Sequence, residues 1–442
     1  MVHSLAMARG TRLLDRPAEE IAVLLGHPVQ RDTARLIAEL VTDLRSLSRP
    51  EEYYEFQREL GAHVYGAQKQ QAAASRNEKR VRAGRDVPPP DALTWALTVV
   101  MWDRTVRQLR AVGDAMAWRL FNYDRRFLLA LSRNSPAGPM VGKAGLDWEL
   151  GAVKETWERD GDFALLHDLT NAVRIGDITV FGKSGPMIAE VKRSATAGGS
   201  RGREQVRRAQ RAVAVINDGA PLPGEQDVDL YVSNQPFKTN LTALRQQLER
   251  ASSEAIASRS IAHQQVVTAL AVTARVDLPI AELLVKTDAL KQRAFGKAGL
   301  SQVDHHLRGV RADSIGKDAH LAPFTIYPFD PQLVAALTTD LVCYEYTVGW
   351  DLLAQAFETH GFAVQLLLDP ADGKVPEDVA ILHDRRGDRR VTLHSGGLDQ
   401  LLHELVDVDR FVTAVAAAAR LNRPEGRTTS VMTFRNERAT WR

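Results

Sequence analysis

Hydrophobic residues recur at helical spacing through the first 90 residues of the chain. Ile37, Val41 and Leu44, for example, follow one another at intervals of four and three positions, which places them on one face of a helix. The stretch from 76 to 90 is rich in basic residues and ends in three prolines, a composition typical of an exposed linker. The pattern therefore predicts a helical N-terminal region that closes with a linker.

The pattern changes in the middle of the chain. Two helices rich in tryptophan and leucine are predicted between 91 and 134. From 145 to 234 a helix is followed by three short apolar runs of strand length, by another helix and by a further strand. The three runs read FALLHDL, GDITVFG and MIAEVKR. Such mixing predicts an α/β fold built around a mixed sheet.

Beyond residue 235 the pattern is again rich in helices. Residues 241–267 are interpreted as one or two helices, and PFTIYPF as a strand. Near the end, two apolar runs flank DRRGDRR and predict a hairpin, which a helical region follows. We therefore divide the chain into a helical N-terminal region (1–90), a core with preceding helices (91–330) and a smaller α+β C-terminal region (331–442).

Composition limits the classes of function. With 442 residues, 44% of them hydrophobic, the chain can bury large cores. A formal net charge of only +2 means that any contact with nucleic acid must come from local basic clusters. The single cysteine, Cys343, excludes a disulfide framework and a cysteine-based zinc site. Because no apolar run reaches membrane-spanning length and no leader is recognised, we expect a cytoplasmic protein without a membrane partner.

Charged residues interrupt two of the predicted strands. Side chains alternate along a strand, so Glu190 and Lys192 share one face with Ile188, and Asp177 shares one with Thr179. If the two strands pair, Asp177, Glu190 and Lys192 converge on one patch. Two carboxylates held together in a partly buried place repel each other unless a proton or a cation relieves the repulsion. Carboxylate oxygens suit Mg²⁺, and a lysine beside them can orient or deprotonate an attacking water.

Asp, then a turn, then Glu-x-Lys on the next strand resembles the PD-(D/E)XK nuclease superfamily, over roughly residues 140–235. In this resemblance Asp177 matches the metal-binding aspartate, and Glu190 and Lys192 match the E-x-K motif. Gly176 stands where the family motif has a proline. The resemblance implies a restriction-endonuclease-like fold and a Mg²⁺-dependent endonuclease in which Mn²⁺ is expected to substitute. It also implies that the backbone carbonyl of Val191 is a metal ligand.

The helix before the strands offers a third carboxylate. Its predicted apolar stripe consists of Leu146, Leu150, Val153 and Trp157. At about 100° per residue, Glu149 falls at the border of this stripe and Glu155 on the opposite side. Glu149 is therefore the acid able to reach the sheet as a metal ligand, and family members often carry such an acid. The alternative is an ordinary glutamate at the border of the helix face. His167 and Asp168 are assigned structural rather than catalytic roles.

A basic segment follows Lys192. It contains the candidate phosphate-binding residues Arg193, Arg201, Arg203, Arg207, Arg208 and Arg211. In family members a helix in this place often adds a glutamine or a basic residue to the site, a role that Gln205 or Gln210 could fill. The alternative interpretation of these residues is a solvated helix face.

The favoured hypothesis is a nuclease that hydrolyses phosphodiester bonds, in DNA rather than RNA. The terminal regions would then select the target or mediate assembly, with further copies or with a partner protein. A role in defence against foreign DNA follows only from analogy with stand-alone members of the superfamily. Two alternatives stay open. One is a non-catalytic nucleic-acid-binding module with a degenerate nuclease core, and the other is a scaffold protein. For the three residues themselves, the alternative is that Asp177 and Glu190 are solvated residues on the open face of an edge hairpin and that Lys192 is their ion-pair partner.

Overall fold

The chain is a mixed α/β protein that forms two compact units. The computed structural model describes residues 17–85, 92–132, 137–183, 185–191, 207–208, 210–212, 214, 228–272, 280–300, 306–311, 321–367, 378–387, 389–421, 428–435 and 440–441. Unit 1 comprises Met1–Asp218, Ala312–Ala319 and Pro323–Leu341, and unit 2 comprises Gly219–Arg311, His320–Ala322 and Val342–Arg442. The predicted core region, 91–330, thus contributes to both units.

The helices are α1 (Ala18–Gly26), α2 (Pro28–Ser46), α3 (Pro50–Arg82), α4 (Ala92–Leu120), α5 (Arg125–Leu131), α6 (Leu146–Asp160), α7 (Leu241–Glu254), α8 (Ile280–Ala298), α9 (Pro331–Thr338), α10 (Trp350–Thr359), α11 (Asp399–His403) and α12 (Val408–Ala419). The strands are β1 (Phe163–Leu166), β2 (Ile178–Gly182), β3 (Gly185–Ala189), β4 (Val228–Pro236), β5 (Ile256–Ala262), β6 (Gln265–Ala271), β7 (His306–Val310), β8 (Val342–Gly349), β9 (Phe362–Leu366), β10 (Asp378–Asp384), β11 (Arg390–His394) and β12 (Thr428–Arg435). No described helix is long and apolar enough to cross a membrane.

Unit 1 contains the predicted N-terminal helices. Ile37 and Val41 of α2 and Leu60 of α3 are fully buried, and both helices pack against α4. Burial of such residues is the main stabilising contribution. The predicted linker is wrong in its first part, because α3 continues to Arg82. Arginine, lysine and glutamate are good helix formers, and Glu78 pairs with Arg82 one turn later at 2.8 Å.

The three predicted strands of the core form one antiparallel sheet in the order β1-β2-β3 in unit 1. Helix α6 precedes this sheet, as the sequence predicts. Every residue of β1 is buried, since both α3 and α6 pack against this strand. The predicted fourth strand exists but does not join them: β4 pairs in parallel with β12 in unit 2. The described strands therefore do not form the expected mixed sheet, because the backbone groups of β4 find their partners some 200 residues later in the chain.

Unit 2 is built around a four-stranded antiparallel sheet in the order β5-β6-β8-β7. The prediction of helix through residue 267 is wrong beyond Glu254, where the chain turns into the β5–β6 hairpin. Val266, Val267 and Thr268 are β-branched and favour a strand. Val266 packs against Phe295 of α8, so burial on the sheet decides the conformation.

Of three further local predictions, two are confirmed and one is wrong. The hairpin around DRRGDRR is confirmed, because β10 and β11 pair in antiparallel fashion. The helical end is confirmed by α11 and α12. The strand predicted for PFTIYPF is wrong: Phe324–Ile326 forms a 3₁₀ turn. A proline on each side of this stretch removes a backbone donor, which disfavours a strand within a ladder.

Candidate active site

Asp177 and Glu190 directly flank the last pair of the β2–β3 ladder, which joins Ile178 to Ala189. Strand β2 begins at Ile178 and β3 ends at Ala189, so neither carboxylate belongs to a paired strand residue. The Asp177 N–H donates to the Ala189 carbonyl at 3.0 Å. This hydrogen bond is out of register with the ladder, in which Ala189 is the partner of Ile178. The expected pairing of the two strands is confirmed, and the convergence of their carboxylates stays a prediction. Both residues are half-buried.

The backbone around this pair fixes the position of the aspartate. The Val191 N–H donates to Asp177 Oδ2 at 2.9 Å. Gly176, directly before the aspartate, has φ +83°, a conformation that proline cannot adopt. A Cβ atom at this glycine would lie 2.6 Å from Ile188 Cγ2. Glycine therefore stands in place of the family's proline because the turn into β2 is left-handed and tightly packed.

Helix α6 turns Glu149 into the interior. Its buried residues are Leu146, Glu149 and Val153, and Glu149 is only 3% exposed. The predicted stripe is wrong at Leu150, which is 45% exposed, so Glu149 lies at the centre of the buried face and not at its border. Glu155 is exposed, as expected, and pairs with Arg159 at 2.9 Å.

A buried glutamate needs a partner, and this partner is Lys143. Lys143 Nζ lies 2.7 Å from Glu149 Oε2 and 2.7 Å from Asp168 Oδ2. Burial alone would lower the pKa of Lys143, but its hydrogen bonds to Asp168 and Glu149 outweigh burial and raise the pKa. Lys143 is therefore an ammonium ion at neutral pH. Sequence reasoning missed this residue because a loop residue has no periodic relation to a helix.

The pKa of Glu149 depends on the charges around it. Burial raises the pKa of Glu149, Lys143 opposes the rise, and the charges of Asp177 and Asp168 add to it. Helix α6 packs against β2, and the charge of Asp177 just before this strand acts on Glu149. Glu149, Asp168, Asp177 and Lys143 thus form one electrostatic cluster on unit 1.

His167 forms buried hydrogen bonds with the turn before Asp177 and with strand β2. It is 2% exposed, and its Nδ1 lies 3.0 Å from the Gly176 carbonyl while its Nε2 lies 2.7 Å from Thr179 Oγ1. A carbonyl only accepts, so Nδ1 donates and Nε2 accepts from the threonine hydroxyl. Burial lowers the pKa of His167 to about 4, so the ring is neutral at pH 7. These contacts agree with the structural role expected for this histidine.

Helix α4 holds the segment that follows β1. Gly113 of α4 lies so close to this segment that an added Cβ atom would be 1.9 Å from the Leu169 carbonyl oxygen. One helical position further, Asp114 Oδ1 accepts the N–H groups of Asn171 and Ala172, each at 2.8 Å. The close approach and the two charge-assisted hydrogen bonds fix the turn that carries Asp168.

Arg110, also on α4, ties this turn to the loop that carries Lys143. Its Nε donates to the Asp168 carbonyl at 2.9 Å, and its Nη2 donates to the Gly138 carbonyl at 2.6 Å. Burial lowers the pKa of Arg110 to about 10, which still leaves the guanidinium charged at neutral pH. One buried arginine thus positions both partners of the Lys143–Asp168 ion pair.

The remaining predicted site residues divide into two groups. Lys192, Arg193, Arg201, Arg203 and Gln205 lie outside the described residues. Arg207, Arg208, Gln210 and Arg211 belong to a helical segment on which Arg208 is half-buried and the other three are exposed. Their predicted roles toward phosphate stay predictions. Across the described part of the chain, no three His, Cys, Asp or Glu side chains are grouped so that they could hold a metal ion.

Comparisons with known proteins identify no relative. No family model, no curated protein and no solved structure matches this chain. The nuclease hypothesis therefore rests on the resemblance carried by Asp177, Glu190 and Lys192 and on the geometry around them.

Proposed function

We propose that the protein is a Mg²⁺-dependent endonuclease with a restriction-endonuclease-like core, and that it hydrolyses phosphodiester bonds in DNA rather than RNA. The main support is that Asp177 and Glu190 directly flank the last pair of the β2–β3 ladder, Ile178 and Ala189. Carboxylates brought close together in a partly buried place repel each other, at a cost in stability. A cation between them removes this cost, and oxygen ligands of this kind suit Mg²⁺.

The oxygen atoms available at this site suit Mg²⁺, the metal ion that the resemblance implies. Asp177 and Glu190 would supply carboxylate oxygens, and Val191 its carbonyl oxygen. The Val191 N–H already holds Asp177 Oδ2 at 2.9 Å, so that carboxylate needs little reorganisation. A divalent ion bound there would withdraw charge from the phosphate and make water a better nucleophile at neutral pH. Glu149 would strengthen the attraction for a cation through its charge near Asp177.

The lysine of the motif has the proton-transfer task. In the proposed reaction Lys192 orients the attacking water, and it accepts its proton or neutralises charge that develops on the phosphate. The arginines from 193 to 211 would bind the DNA backbone beside the scissile bond. A defence role remains an analogy with the superfamily.

One observation favours the alternative, a non-catalytic nucleic-acid-binding or scaffold protein with a nuclease-like core. Lys143 already neutralises Glu149 and Asp168, so part of the acidic cluster is stable without a metal. A protein of this class would bind without cutting.

The experiment that separates these functions is a cleavage assay on supercoiled plasmid, single-stranded DNA and RNA. The purified chain should cut DNA with Mg²⁺ or Mn²⁺ and stop with EDTA, and Lys192→Met should abolish cutting. Glu155→Gln is the matched control, because it removes an exposed carboxylate of the same unit. Binding without cutting in every metal would support the non-catalytic alternative and overturn the proposal.

A further inference from the structure

The acidic cluster of unit 1 contains a cation of its own. Lys143 Nζ lies 2.7 Å from one oxygen of Glu149 and 2.7 Å from one oxygen of Asp168. The Glu149 and Asp168 side chains are only 4% and 11% exposed, whereas Lys143 is 30% exposed. A positive charge that bridges two buried carboxylates takes the position that a divalent ion would otherwise occupy.

The position of Lys143 is fixed by its surroundings. Its loop is anchored by Gln68, whose Oε1 accepts the N–H groups of Met140 at 2.7 Å and Val141 at 3.2 Å. Met140 is 3% exposed, so the loop is packed into the unit. Arg110 binds the loop a few residues earlier. The ammonium is thus held in place by buried contacts and does not depend on a freely moving surface side chain.

We propose that Lys143 is a positioning residue that excludes a second divalent ion from the space between Glu149 and Asp168, so that the site accepts one ion and not two. The exclusion itself does not depend on nuclease activity. Its consequence, that catalysis uses the single ion at Asp177 and Glu190, rests on the proposed function. A divalent ion could enter between Glu149 and Asp168 only by breaking two charge-assisted hydrogen bonds, and it would meet the repulsion of a neighbouring ammonium.

The test is the number of Mn²⁺ ions bound per chain, measured on the full-length protein by calorimetric titration and by the loss of the free-ion paramagnetic resonance signal. Lys143→Met keeps the length and most of the apolar stem but removes the charge. We expect this variant to bind one Mn²⁺ ion more than the parent. Adding Glu149→Gln to it should remove the extra ion, and Lys143→Arg, which keeps the charge, should not gain one.

Each outcome decides the proposal. Equal Mn²⁺ numbers for the parent and Lys143→Met would overturn it, and so would two ions in the parent. If Lys143→Met does not fold without metal, Mn²⁺ should restore its thermal transition, and failure to do so would overturn it as well. A parent that binds no ion beside a variant that gains one would support the role of Lys143 and count against the metal pair Asp177 and Glu190. The numbers of bound Mn²⁺ ions therefore distinguish a failure of the Lys143 proposal from a failure of the proposed function.

Discussion

Replacing Gly113 by alanine should force helix α4 away from the turn that carries Asp168. The added Cβ atom would lie 1.9 Å from the Leu169 carbonyl oxygen and 2.8 Å from its carbonyl carbon. Ordinary contacts begin near 3.4 Å, so the two backbones must separate by about 1.5 Å. Both partners are backbone, and neither can move aside by a change of rotamer.

The expected cost follows from these contacts. Overpacking in a core costs about 1–3 kcal/mol, and weakening the buried hydrogen bonds of Asp114 adds about 1–3 kcal/mol. The higher helix propensity of alanine offsets about 1 kcal/mol of this loss in stability. We therefore expect the free energy of unfolding to fall by about 1–5 kcal/mol, which corresponds to a decrease in Tm of roughly 2–20 °C.

Thermal unfolding followed by circular dichroism measures this change. Gly66→Ala in α3 is the matched control, because no atom lies within 4 Å of its added Cβ atom. The control should unfold at the parent temperature or above it, since only the propensity gain acts there. If Gly113→Ala and Gly66→Ala unfold at the same temperature, the close approach between α4 and the Asp168 turn is wrong.

Three further predictions concern charge. Glu149→Gln should raise the Mg²⁺ concentration needed for half-maximal cleavage, whereas Glu155→Gln should match the parent; equal titration curves would remove Glu149 from the site. Replacing Arg207 and Arg208 by alanine should lower the slope of log K against log salt for duplex DNA by up to about two units, and an unchanged slope would assign both to a solvated face. Because the pKa of His167 is about 4 when folded and about 6.5 when unfolded, its stabilising contribution is present above pH 6.5 and is lost as the pH falls through 4. Denaturant titrations across that range should show a flatter pH dependence for His167→Gln than for the parent, and parallel curves would contradict the neutral buried ring.

The sequence predicts the pairing of the two strands that Asp177 and Glu190 flank, but not the cation of the acidic cluster. The strands are predictable because a period of two is a local pattern. Lys143 lies in a loop, and its contact with Glu149 depends on how Gln68 and Arg110 anchor that loop. Tertiary contacts of this kind leave no local pattern.

The same difference between local patterns and tertiary contacts explains why parts of the predicted fold are wrong. The centre of the buried face of α6 was misassigned because the predicted stripe counts only apolar residues, whereas Glu149 is buried against the charge of Lys143 and Leu150 is exposed. The partner of β4 is β12, and no local pattern reveals a pairing across such a separation. The long periodic helix α2 is predicted well because its signal lies within the element itself.

The most direct test of the metal-dependent nuclease is the rate at which supercoiled plasmid is cut in Mg²⁺ by the parent, by Asp177→Asn and by Glu190→Gln, with all three shown to be folded by their thermal transitions. The proposed site predicts cutting by the parent and a loss of at least about 10–100-fold in each variant, the range that removal of a group supporting a metal ligand already produces. Cutting at the parent rate by either folded variant, or no cutting by the parent in any divalent metal, would contradict it.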